Sequence, residues 1–188
     1  MRGWLGLTAV MLVMAPLGPR AWAENQLPVL VGTVTKIVDG DTIDVQLASG
    51  PIRVRFHGID TPERGQPWFG EASQALAALV AHKEVEIEPF EQDRYERLIG
   101  IVFVGDMNVN VELVKQGHAW AFRKYMRRSD AQLCADEAVA RISKRGVWAL
   151  PPDQRVAPWE WRRRKSQPEF SDYSEETPAH CVAAIGKG

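Results

Sequence analysis

From Val31 onward the chain alternates between apolar and polar positions. VGTVTKIV (31–38) and TIDVQL (42–47) alternate partly. IRVRFH (52–57) alternates cleanly, with Ile52, Val54 and Phe56 on one face and Arg53, Arg55 and His57 on the other. A period of two is that of a half-buried strand, so three strands are predicted, with Gly50-Pro51 marking the turn between the second and third. The period then changes. In WFGEASQALAALVAHK (68–83), Ala72, Ala75, Leu76, Leu79 and Val80 recur at spacings of three and four, the apolar stripe of a helix. EVEIEPF (84–90) returns to alternation with Val85 and Ile87 inward, and RLIGIVFV (97–104) reads as a more deeply buried strand that ends at Gly105-Asp106. NVNVELVKQG (108–117) predicts a short helix with Asn110 as N-cap and Gly117 as C-cap. SDAQLCADEAVARISKRG (129–146) predicts a longer one, capped by Ser129 or Asp130, packed through Leu133, Val139 and Ile142, and ended by Gly146.

Three strands, a helix, two strands and two helices make an α+β chain. Strands this short close into a small barrel with helices over its open ends, so the expected fold is a five-stranded OB-type barrel with about three helices. From LPPDQR (150–155) the composition shifts to proline, charge and tryptophan, and residues 151–188 are expected to form an extended, poorly ordered tail. Trp148, Trp159 and Trp161 read as packing residues. No internal repeat is present.

The 188 residues suit one domain with appendages. The N-terminal stretch has Arg2, an apolar run from Trp4 to Ala15 and then Ala21-Trp22-Ala23, the pattern of a secretory signal peptide cleaved after Ala23. The apolar run is shorter than the roughly 20 residues a membrane span needs. Export to a periplasm or the medium is therefore expected, with residues 24–150 as the folded domain. Removing residues 1–23 takes away Arg2 and Arg20, so Lys+Arg falls from 23 to 21 against 24 Asp+Glu and the net charge becomes −3. Global charge gives no reason to expect nucleic-acid binding, and any affinity for phosphate must come from a local cluster. The two cysteines, Cys134 and Cys181, are an even count in an oxidising compartment and suggest one disulfide.

The candidate chemistry lies in two short stretches. If the first three strands form a meander, DGDT (39–42) and GIDTPE (58–63) meet at one end of the barrel and gather Asp41, Asp60 and Glu63. Three carboxylates so close repel one another unless a cation lies among them, and a hard divalent ion with oxygen ligands, Ca2+ or Mg2+, meets that need. The pattern of an EF-hand is absent, and histidine and cysteine are too scattered for zinc. Arg55 on the third strand and Arg97 at the start of the fifth are candidates for a guanidinium clamp on a phosphate. A cation, two guanidiniums and a carboxylate able to activate water form a coherent set for phosphodiester hydrolysis. FRKYMRR (122–128) interleaves Arg123, Lys124, Arg127 and Arg128 with Phe122 and Tyr125, which suits a phosphate backbone and a stacked base. RRRK (162–165) offers further phosphate contacts, offset by the acidic tail after it.

VDGDT, VRFHGIDTPE, DRYERLIG, NVNVELVKQGHAW and RGVW together resemble the staphylococcal nuclease (thermonuclease) family, over about Val31 to Leu150. The resemblance implies an OB-type barrel that cleaves DNA and RNA, single-stranded or locally melted, with little sequence preference and 3′-phosphate products. It implies one Ca2+ held by Asp41, Asp60 and the Thr61 carbonyl, with Glu63 as general base acting through a water. It implies Arg55 and Arg97 on the scissile phosphate, Tyr95 and Tyr125 lining the nucleotide site, and a monomer without a stable protein partner. Two positions depart from the pattern. Glu96 stands where the family usually has glycine, and Arg123, kept here as a substrate-binding candidate, stands where it usually has tyrosine. The loop after Glu63, RGQPWFG, is shorter than in the best-known member, so any lid there is smaller. A nuclease-like barrel that only binds nucleic acid or protein is the alternative, and a disulfide-stabilised secreted interaction domain is a third reading.

Overall fold

The computed structural model describes residues 27–164, 171 and 173–187; the expected signal peptide lies outside the described residues. The strands are β1 (Leu30–Ile37), β2 (Thr42–Leu47), β3 (Gly50–Phe56), β4 (Ile59–Asp60), β5 (Glu84–Gln92), β6 (Leu98–Val104), β7 (Met107–Asn108) and β8 (Trp120–Ala121). The helices are α1 (Phe69–Val80), α2 (Val109–Lys115), α3 (Gln132–Ile142), α4 (Pro158–Arg163) and α5 (Pro178–Ala183). The sheet runs β3-β2-β1-β5-β6-β7, and a parallel pairing of β3 with β6 closes the first five into a barrel. The expected OB-type barrel is therefore present, and β3 alternates as the sequence predicts; β6, expected to be the more deeply buried strand, buries only Gly100 and Val102. Val54 and Phe56 point inward from β3 to meet Ile43 and Val45 of β2, Val34 of β1, Val85 and Ile87 of β5, and Val102 of β6. Each such side chain taken out of water contributes about 1.5–3 kcal/mol. Helix α1 lays Ala72, Leu76 and Val80 on this core, as its three-and-four spacing requires.

Four expectations about the helices need correction. The N-cap of α2 is Asn108, whose side chain accepts from the Val111 N–H. Asn110 is instead buried, accepting from the Val102 N–H at 3.0 Å and donating to the His57 carbonyl at 2.9 Å. Neither Ser129 nor Asp130 caps α3, whose N-cap is Ala131; both lie in a preceding 3₁₀ turn, Arg128–Asp130. On α3 itself Leu133 is buried, but Val139 is exposed and Ile142 is 83% exposed. The inward face follows Leu133, Glu137 and Arg141 instead, spaced by four, because the two charged members are paired with each other. Helix α3 also ends at Ile142, ahead of Gly146. Gly146 and Gly117 cross so closely, both at positive φ, that a Cβ on either would lie within 2.3 Å of a carbonyl oxygen: Arg145 O at 2.2 Å for Gly117, Gly117 O at 2.1 Å for Gly146. That crossing docks the end of the α3 segment on the loop after α2.

The C-terminal segment also departs from expectation. Its described residues are folded onto the domain rather than extended from it. Proline opens both α4 and α5, where its missing N–H is harmless. Cys181 of α5 is buried and bonded to Cys134 of α3, the expected disulfide. Tyr173, Trp159, Trp120 and Trp148 form a second, aromatic core, with Trp159 stacked on Phe122 at 5.2 Å and 4°. The Val156 carbonyl accepts from the buried Gln66 amide. α4 is thereby held beside the end of the barrel where β3 and β4 emerge.

Candidate active site

The two acidic stretches meet because the backbone brings them together. Antiparallel β2–β3 pairing sets Thr42 opposite Arg55, and the Phe56 N–H donates to the Asp41 carbonyl at 2.9 Å. Gly40 lets the next strand approach, since a Cβ there would lie 2.7 Å from Thr61 Oγ1. Asp41 Oδ2 then accepts from the Thr61 N–H at 2.9 Å and its hydroxyl at 2.8 Å. Thr42 Oγ1 donates to Asp41 Oδ1, and Asp39 Oδ1 accepts from the Asp41 N–H.

Arg55 lies at the centre of this junction. Its Nε is 3.1 Å from Asp41 Oδ1. One Nη donates to the Phe56 and Ile59 carbonyls at 2.8 and 3.0 Å, and the other to Asp60 Oδ1 at 3.0 Å. Three of its five N–H groups are thus hydrogen-bonded within the described residues, and its Nε side is ion-paired with Asp41. Asp60, 1% exposed, is reached from its other side by Arg162 of α4, with Nη2 on Oδ2 at 2.7 Å and Nη1 on Oδ1 at 3.2 Å. Arg162 Nη1 also donates to Glu63 Oε1. The sequence singled out RRRK only as a basic run and did not find this residue. Its spacing from Trp159 is the only signal available, because residues three apart share a helix face.

Burial pushes the Asp60 carboxyl up to about 6 despite Arg55 and Arg162 beside it, and Asp41 adds to the rise. Burial and the neighbouring Asp41 likewise push Asp39 up to about 6. Burial works against the charge on Arg162, but its hydrogen bonds to Asp60 and Glu63 outweigh that and hold it above its ordinary value. Around Asp60 the carboxylates Asp39, Asp41, Asp60 and Glu63 outnumber the two guanidiniums, Arg55 and Arg162, paired with them.

Arg97 opens β6. Parallel register sets Ile99 opposite Arg55, so Arg97 sits on the same edge of the barrel. Two of its N–H groups engage Asp93 Oδ2, at 2.8 and 2.7 Å. Against the push of burial, hydrogen bonds from Arg97 and from the backbone of Tyr95 and Arg97 hold Asp93 below its ordinary value. Glu96 keeps the tight turn between β5 and β6 by adopting φ 62, the left-handed region a glycine occupies freely. The departure at this position therefore changes charge and strain but not the path of the chain.

Asp41, Arg55, Asp60, Thr61, Glu63, Tyr95, Arg97 and Tyr125 all line one cavity of about 1130 Å3. Tyr95 and Tyr125 are 63% and 57% exposed there, with Arg94 and Arg97 over the first ring and Lys124 over the second. Arg123 also lines this cavity, but its guanidinium is already engaged. It is buried, its guanidinium paired with Glu137 and Glu176 and lying 5.7 and 5.6 Å from the rings of Trp159 and Tyr173. A tyrosine-to-arginine difference reads as a gained phosphate contact in the sequence; in three dimensions it ties the C-terminal segment to the barrel.

The donor set suits a hard cation. Asp41, Asp60 and Thr61 offer only oxygen, and the guanidinium of Arg162 already occupies the open side of Asp60 as a positive stand-in. Among the described residues no three carboxylates, imidazoles or thiols converge as a ready-made cage.

A sequence model described as staphylococcal nuclease homologue matches residues 53–150. Micrococcal nuclease of Shigella flexneri is 40% identical over 163 residues, covering 82% of this chain and 87% of that protein. Protein ParB of Escherichia coli is 40% identical over 167 residues, covering 84% and 88%. An uncharacterized endonuclease of Escherichia coli O157:H7 is 38% identical over 135 residues, covering 71% and 86%.

Proposed function

The chain belongs to the staphylococcal nuclease family and is a nuclease, and we propose that it is an exported, Ca2+-dependent one that cleaves DNA and RNA with little sequence preference and leaves 3′-phosphates. What supports this reading is one cleft lined by two buried aspartates, an accessible glutamate and two arginines, floored by a closed barrel.

In this reading Asp41, Asp60 and the Thr61 carbonyl hold the cation. The bound ion supplies a Lewis acid that lowers the charge on the scissile phosphate. Glu63, at the mouth of the cleft, takes the proton of the attacking water. The water oxygen forms the new bond to phosphorus, the bond to the 5′-oxygen breaks, and that oxygen takes a proton from solvent. Arg55 and Arg97 bind the phosphoryl oxygens and stabilise their growing charge. The free N–H of Arg55 and those of Arg97 not used on Asp93 are available for this. Tyr95 and Tyr125 offer exposed rings on which single-stranded bases stack. Duplex hides those faces, so single-stranded or locally melted substrate is favoured.

The disulfide supports an oxidising compartment, and no helix among the described residues is long and apolar enough to cross a membrane. The enzyme acts as a monomer, since every proposed role falls on one chain. The test is cleavage of single-stranded DNA with added Ca2+ and with a Ca2+ chelator, followed by analysis of the product ends. Loss of cleavage in chelator and 3′-phosphate ends support the reading. Cleavage that persists in chelator, or 5′-phosphate ends, overturns it.

A further inference from the structure

Of the cationic groups lining the cleft that the proposed reaction does not use, Arg162 is held directly on its acidic residues. Arg162 lies on Asp60 and Glu63, one proposed cation ligand and the proposed general base. It is not a loose surface side chain. Pro158 and Ala157 are buried at the start of α4, and the Val156 carbonyl is tied to Gln66. Trp159, three residues before Arg162 and on the same helix face, is stacked on Phe122. The Arg162 guanidinium itself lies 5.7 Å from the centre of that same Phe122 ring. Tyr173 donates to Glu160, fixing the helix from its outer side. The side chain of Arg162 is 41% exposed, so it can leave without opening the aromatic core.

Charge explains why it is there. Without Arg162, Asp60 keeps Arg55, which it shares with Asp41, and Glu63 loses its ion pair to α4, while Asp39 lies close enough to add its charge. Buried carboxylates in such excess demand a further cation. A divalent ion bound to Asp60 and the guanidinium of Arg162 ask for the same oxygen atoms, since Arg162 holds both Oδ1 and Oδ2. The two cannot both be fully satisfied.

We infer that Arg162 is a positioning residue built in as a tethered competitor of the divalent cation: it neutralises Asp60 and Glu63 in the metal-free enzyme and is displaced when the ion binds. The inference rests on the cation site proposed above. It makes α4 a latch that keeps the general base occupied until the ion arrives. It also holds the acidic cluster together when no ion is bound.

The test is the affinity of the purified protein for Ca2+, by calorimetry, and for Tb3+, by sensitised luminescence, in the absence of nucleic acid. In Arg162→Gln both ions should bind about tenfold tighter, the scale of a lost charge-assisted hydrogen bond. Arg162→Lys, which keeps the charge but not the two-oxygen grip, should fall between. Arg64→Gln is the control, because Arg64 lines the same cavity without touching Asp60 or Glu63 through any described contact. It should move affinity far less. Equal affinity in Arg162→Gln and the parent overturns the inference, as does an equal gain in Arg64→Gln, which would reduce it to a general field effect. If neither parent nor variant binds either ion, the proposed cation site fails as well.

Discussion

Arg55→Lys separates the two jobs assigned to this arginine. The side chain makes four contacts at once, to Asp41, Asp60 and the carbonyls of Phe56 and Ile59. An ammonium is a single point with three donors, so it cannot span both carboxylates and both carbonyls. Keeping one ion pair and one carbonyl contact, lysine loses two hydrogen bonds, of which the carboxylate bond is the stronger. At about 1.5–3 kcal/mol for each bond involving a charged group, the expected loss of stability is about 3 kcal/mol. For a chain of this size that lowers the unfolding midpoint by about 6–12 °C. Cleavage should fall further, by about 10²- to 10³-fold, the usual effect of removing one donor to a developing oxyanion. The assay pairs urea unfolding with cleavage of single-stranded DNA at saturating Ca2+, both well below the midpoint of the variant. Unchanged stability would refute the contact geometry. Lost stability with unchanged cleavage would leave Arg55 a structural residue and refute its place on the phosphate.

Other substitutions probe the parts the sequence read least well. Glu137 is 0% exposed and accepts from Arg123, Arg141 and the Ala121 N–H; Glu137→Gln leaves two buried guanidiniums to share the single carboxylate of Glu176 and should lower the free energy of unfolding by about 3 kcal/mol, read as a shifted urea midpoint with unchanged slope. Glu96→Gly should relieve a left-handed strain of about 1–2 kcal/mol and leave stability equal or higher once the looser unfolded chain is allowed for; clear destabilisation would contradict it. His118 accepts from the Trp68 indole at 3.0 Å, and burial lowers its pKa although Glu71 opposes the drop. The unfolded chain therefore takes up a proton near pH 6.5 that the folded chain refuses, so this contribution is full above about 6.5 and is lost as the pH falls below it. In His118→Gln, which keeps an acceptor for Trp68, the slope of stability against pH just below 6.5 should flatten; an unchanged slope would assign it to other groups.

Where local pattern governs, the sequence was legible. The clean alternation of β3 gave both a core strand and the outward position of Arg55. The excess of carboxylates in DGDT and GIDTPE announced a site before any fold was known. What was hidden depends on partners far along the chain. Arg162 meets Asp60 across 102 positions, and Arg123 meets Glu176 across 53. Nothing in the local composition of a Pro- and charge-rich segment reveals such a partner, so the segment reads as a tail. Helix α3 misled for the same reason. Its apolar residues suggested one inward face, but Glu137 and Arg141 could turn inward because Arg123 was waiting for them. The turn at Glu96 shows the converse, a residue poorly suited to a left-handed position that takes it because Asp93 organises the hairpin around it.

The most direct test of the account is the turnover of Glu63→Gln on single-stranded DNA at saturating Ca2+, with substrate binding measured alongside. The substitution keeps the size of the side chain and removes its negative charge, and with it both the capacity to accept a proton and the ion pair to Arg162. The account predicts that DNA binding survives and that turnover falls by about 10²- to 10⁴-fold, the range for a lost general base. Turnover equal to that of the parent, with DNA still bound, would contradict it and move the base to another residue.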